Sequence, residues 1–117
     1  MHVPEQAVLL RIFIGENDKY QGRPLYEAIV LRARENQIAG ATVLRGGMGY
    51  GHASHLHTAK ILRLSVDLPL VIEIVDSADK IQAFLPVLDG MMHEGESSGL
   101  VTLENIQVLH YGRQPAQ

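Results

Sequence analysis

The chain has 117 residues, 46% of them hydrophobic, a formal charge of -3 and no cysteine. A chain of this length folds as one domain without covalent staples, and the missing cysteine removes disulfides, thiol nucleophiles and Cys-based zinc sites together. Ten Lys and Arg against thirteen Asp and Glu, scattered without blocks, leave no basic footprint for a nucleic-acid backbone.

The opening residues Met1 to Gln6 lack the basic and apolar regions of a signal peptide, and no apolar run reaches membrane-spanning length. The expectation is a soluble cytoplasmic protein, a single domain over 1–117 with a frayed tail at 113–117. Ala7 to Ile14 is short, apolar and β-branched and stops at Gly15, which predicts a buried strand. After a polar loop, Pro24 suits a first helical turn, and Leu25, Ala28, Ile29 and Ala33 form one apolar stripe. This predicts a helix ending near Asn36 and Gln37.

Ile38 to Leu44 reads as a second strand and runs into Gly46, Gly47, Gly49 and Gly51, four glycines within six residues. Such a cluster either exposes successive N–H groups to an anion or partner, or forms a mobile hairpin tip. Gly49 is expected at positive φ. His52 to Thr58 is polar and expected to be the least ordered internal segment, and Ala59 to Ser65 is open between a strand extension and a loop arm.

Leu68 to Asp76 is a firmer strand, with Pro69 at its first residue, where a missing ladder donor does least harm. Ser77 offers a helix N-cap, after which Ile81, Phe84, Leu85, Leu88, Met91 and Met92 recur at steps of three and four. Pro86 lies inside that pattern and should bend the helix rather than end it. From Gly99 to Tyr111 the apolar residues run Val101, Leu103 and then Ile106, Val108; the phase shift at Glu104 and Asn105 predicts a bulge.

The order strand, helix, strand, strand, helix, strand is that of an α+β, ferredoxin-like βαββαβ domain with an antiparallel sheet. Two helices cover one sheet face. The first and third strands nevertheless carry apolar residues of both parities, with Leu9, Phe13, Val71 and Val75 opposite in phase to Leu10, Ile12, Ile72 and Ile74. The second face needs a cover, and another copy of the domain supplies it most simply, so a homo-oligomer is expected.

His52, His55 and His57 fall within six residues and could complete a zinc or nickel site, although no carboxylate is interleaved. His57 could equally hydrogen-bond the loop to its own strand. Gly47-x-Gly49-x-Gly51 is neither a dinucleotide-binding fingerprint nor a P-loop. Acylphosphatases share the strand order but need an arginine after the first strand, where this chain has the acidic Gly15-Glu-Asn-Asp18. Glu16, Asp18, Glu73 and Asp76 read as ordinary carboxylates of loops and strand ends. An enzyme is not expected, and no cofactor is required.

Three blocks, Gly40 to Gly46, Leu68 to Asp76 and Gly99 to Glu104, with Thr42-Val43 ahead of Gly49-Tyr50-Gly51, resemble the PII signalling proteins. They resemble more closely a PII-like family known as domain of unknown function 190. The resemblance implies a trimer with adenine-nucleotide sites between subunits and a long loop that engages a target protein, such as a membrane transporter or channel. By position, Thr42 and Ile72 would lie beside the adenine. Gly49, Tyr50 and Gly51 would form the loop root, with amides from Gly46 and Gly47 onward facing phosphate, and Gly99 would belong to the opposing loop. The family's closing arginines fall at His110 and Gly112 here, which leaves Arg45 and Arg113 as the nearby cations. AMP, ADP or a cyclic nucleotide is therefore expected in preference to ATP, and no loop tyrosine matches the PII modification site.

Overall fold

A computed structural model describes residues 2–50, 57–58, 67–112 and 114–115. Four strands form one antiparallel sheet: β1 Gln6–Gly15, β2 Ala41–Arg45, β3 Pro69–Asp76 and β4 Leu100–Gln107, in the order β2-β3-β1-β4. Helix α1, Leu25–Glu35, connects β1 to β2, and helix α2, Ala78–Glu94, connects β3 to β4. This is the ferredoxin-like arrangement expected from the element order.

The β1–β3 ladder runs from Val8 opposite Asp76 to Gly15 opposite Pro69. Successive side chains therefore alternate between faces, and Leu10, Ile12, Leu70, Ile72 and Ile74 all point to the helix side, where they are buried. Against them pack Leu25, Ala28, Ile29 and Ala33 of α1 and Ile81, Phe84, Leu88, Met91 and Met92 of α2. Both helical stripes are the ones their spacing predicts. Ser77 caps α2 by accepting from Lys80 N–H at 3.3 Å, and Pro86 lies within the helix.

Two expectations are corrected. The β1–β4 register is unbroken from Gln6 opposite Gln107 to Phe13 opposite Leu100, so Glu104 and Asn105 form no bulge. The apolar phase shift is a change of face: Val101 and Leu103 align with inward Ile12 and Leu10, whereas Ile106 aligns with Ala7. An edge strand tolerates this because its residues bury little. The second strand also starts at Ala41 rather than Ile38. Ala39 N–H donates to Asp76 Oδ2 at 2.9 Å and Ala39 O accepts from the Tyr111 hydroxyl at 2.8 Å, so side chains hold the backbone groups that a ladder would have used.

The face without helices carries Leu9, Phe13, Val71 and Val75, half-buried, on either side of a charged row. Arg11 sits in that row, 3.0 Å from both Glu73 and Glu104. Its hydrogen bond with Glu73, reinforced by the charges of Glu73 and Glu104, holds the guanidinium above its ordinary pKa. Val43, Leu44, Leu100 and Leu103 on the two edge strands are exposed. Among the described residues, no helix is long and apolar enough to cross a membrane.

Candidate functional site

Because the sheet is antiparallel, the C-terminal ends of β2 and β1 and the N-terminal ends of β3 and β4 lie together at one end. That end gathers Arg45, Gly46, Gly15, Pro69 and Gly99. Thr42 lies on the outer face of the β2 edge, opposite Glu73. Arg45 is more than half exposed, and its guanidinium is paired with the Glu16 carboxylate. That pairing was invisible in the sequence, since the partners are 29 positions apart and neither has a local motif to announce it.

The glycines are held against Pro69. Gly46 N–H donates to Pro69 O at 2.7 Å, so this amide is already taken and does not face an anion. A Cβ on Gly46 would lie 2.9 Å from Pro69 Cγ, and one on Gly49 would lie 3.3 Å from it. Positive φ is not the reason for Gly49: among the described glycines, only Gly22 and Gly112 have it. Close packing on the proline ring takes its place. Met48–Gly49 pairs with His57–Thr58 in a short antiparallel ladder. Tyr50 is 71% exposed, and Gly47 has open space around its Cβ position.

Ile72 is fully buried on the helix side, opposite Val43. Its side chain is thus out of reach of a ligand beside Thr42, and the expectation for this residue is corrected to a core role. Within the chain, His110 lies away from these glycines. It lies in a two-residue strand beside Tyr111, whose hydroxyl is bound to Ala39 O at the far end of β2. Ala39 and Gly46, which flank β2, are seven positions apart, about 20 Å at strand rise. Gly51, His52, His55 and Arg113 lie outside the described residues, as does the side chain of His57. Among the described residues, no group of three or more His, Asp or Glu could hold a metal ion.

Gly99 immediately precedes β4, on the opposite edge of the sheet. Three strand spacings, about 14 Å, separate it from the β2 edge, so one subunit cannot close both around a small molecule. An apolar groove of about 400 Å³ between α2 and β4 is lined by residues including Leu85, Pro86, Met92 and Val101; Met92 also packs against Gly99, and the groove's lining includes none of the glycines. The single chain therefore sets these two groups of glycines apart, on opposite edges of the sheet.

The sequence matches the DUF190 family, described as an uncharacterized ACR, over residues 7–108. A UPF0166 protein of Aquifex aeolicus (strain VF5) is 38% identical over 102 residues, 87% of this chain and 92% of its own. Another, from Methanocaldococcus jannaschii, is 35% identical over 103 residues, 88% and 92% of the two chains. Among solved structures, CPII, a nitrogen regulatory PII-like protein from Thiomonas intermedia K12, superposes with a TM-score of 0.67 at 16% identity over 88% of each chain. That structure holds ADP, AMP and bicarbonate. A protein from Thermus thermophilus described as PII-like and signalling gives a TM-score of 0.65 at 15% identity, covering 92% of this chain and 93% of its own. The fold is thus PII-like, and a family match that spans nearly all of the sheet and both helices establishes that this chain belongs to the DUF190 (UPF0166) family.

Proposed function

We propose that this protein is a cytoplasmic, non-enzymatic PII-like regulator: a homotrimer that binds AMP, ADP or a cyclic nucleotide between subunits and uses its Gly/His-rich loop to engage a target. A membrane transporter or channel is the target class that best fits the PII resemblance. The observation that carries this proposal is the strand order. It sets Gly46 to Tyr50 and Gly99 at the same end of the sheet but on opposite edges, so that cyclic assembly would bring one chain's β2 edge to its neighbour's β4 edge. The half-covered face bearing Leu9, Phe13, Val71 and Val75 supplies an apolar surface for that assembly.

The ligand class follows from the sparse cations. With a backbone amide of Gly46 already bonded and Arg45 already paired, the β2 edge offers too little positive charge for a triphosphate. The PII-like relative that holds ADP and AMP supports a small adenine nucleotide. Thermal unfolding against AMP, ADP, ATP, cyclic AMP, Zn²⁺ and Ni²⁺ tests this. A ligand at 100 times its Kd stabilises the native state by about 2.7 kcal/mol. A rise with AMP or ADP and none with the metals is expected; a rise only with Zn²⁺ or Ni²⁺ would replace the nucleotide with a metal.

A further inference from the structure

The turn that ends β1 sends two carboxylates in opposite directions along the top of the sheet. Glu16 accepts from the Arg45 guanidinium at the β2 edge. Asp18 Oδ2 accepts from the Ser97 hydroxyl at 2.8 Å, and Ser97 Oγ in turn accepts from Gly99 N–H at 3.3 Å, at the β4 edge. Between them the turn is tied down: Glu16 N–H donates to Leu68 O at 2.8 Å, and Asn17 N–H donates to Asp67 Oδ1 at 2.7 Å. Glu16, Asp18 and Asp67 thus crowd one turn, and the one ion pair that any of them makes among the described residues is with Arg45. A phosphate arriving at this edge meets a cation that already has an anion.

We infer that Glu16 is a specificity-determining residue of the phosphate half-site: it is the chain's own anion on Arg45, and a ligand gains that guanidinium only by exchange with it. This rests on the nucleotide reading above and adds what sets the ligand's charge. A carboxylate left beside a bound phosphate repels it, and each further negative charge on the ligand meets the same repulsion. Adenosine is unaffected, AMP is disfavoured least and ATP most. The pair is partly solvated, with Arg45 56% and Glu16 25% exposed, so the effect is a graded discrimination rather than a block.

Calorimetric titration of wild type, Glu16→Gln and the double variant Glu16→Gln/Arg45→Gln with adenosine, AMP, ADP and inorganic pyrophosphate tests the exchange. Glutamine keeps the backbone bond to Leu68, so the fold is retained. The expected result is a gain of about tenfold for ADP and pyrophosphate in Glu16→Gln, smaller for AMP and absent for adenosine, and lost again in the double variant. Equal ADP affinity in wild type and Glu16→Gln overturns the role of Glu16 while leaving nucleotide binding intact. A pyrophosphate gain without any binding of adenine compounds supports the exchange at Arg45 and removes the adenine reading. No binding of any probe by either protein overturns both.

Discussion

Gly99 lies so close to Phe13 that a side chain cannot fit between them: a Cβ on Gly99 would overlap the Phe13 carbonyl oxygen and lie 2.9 Å from Ile14 Cγ2 and 3.0 Å from Met92 Cε. Glycine at this position is therefore required by the β1–β4 packing itself, whatever ligand the loop meets. Gly99→Ala should cost about 1–3 kcal/mol through overpacking. Gly47→Ala, with open space around the new methyl, should stay within about 0.5 kcal/mol of wild type. Urea unfolding of the two variants compares them directly, and equal stabilities would refute the packing account of Gly99.

Asp76 is the one buried charged residue among those described, 1% exposed. Its carboxylate accepts from Ser77 N–H at 2.7 Å and Ala39 N–H at 2.9 Å, which joins the start of α2 to the approach to β2. Asp76→Ala leaves both buried donors without that acceptor and should cost about 3 kcal/mol. Asp76→Asn, which keeps one acceptor oxygen, should cost less. Chemical denaturation monitored by circular dichroism gives the order, and an Ala variant as stable as wild type would show that water replaces the carboxylate.

Much of this architecture was legible in the sequence because periodicity reports burial. The stripes Leu25, Ala28, Ile29, Ala33 and Ile81, Phe84, Leu88, Met91, Met92 each face one core, and the Ser77 cap fixed where α2 begins. Where burial is slight the signal failed: apolar residues on the edge strand β4 switch faces without a bulge. The site was less legible than the fold. Resemblance placed Ile72 beside a ligand, yet its alternation with Glu73 puts it in the core, as strand parity alone could have indicated. The Arg45–Glu16 pair and the Asp18–Ser97 bond join residues far apart in the chain, and no local pattern encodes such contacts.

The helix-free sheet face should be buried between copies. Static light scattering at micromolar concentration should give three times the 12.9 kDa chain mass. Phe13→Glu places a charge in an apolar part of that face, beside Val71 and Leu100. It should yield a folded monomer, because the helix-side core is untouched. A wild-type monomer would remove the intersubunit site altogether.

Met48–Gly49 pairs with His57–Thr58 in a ladder of two residues on each side, and Gly49 packs on Pro69. The amides of Met48–Gly49 and His57–Thr58 should exchange with solvent far faster than those of Leu70 to Ile74, which sit in a ladder on both sides. Hydrogen exchange read by mass spectrometry checks this. Equal protection would count against a loop free to adapt to a target.

The most direct measurement is calorimetric titration of the assembled protein with ADP, alongside Gly49→Val, whose added carbons would press on the Pro69 ring already 3.3 Å from the Cβ position. The expected result is one nucleotide per chain for wild type and markedly weaker binding for Gly49→Val, with the oligomer mass unchanged. The contradicting result is no heat with any adenine nucleotide but stoichiometric Zn²⁺ binding that His55→Ala abolishes.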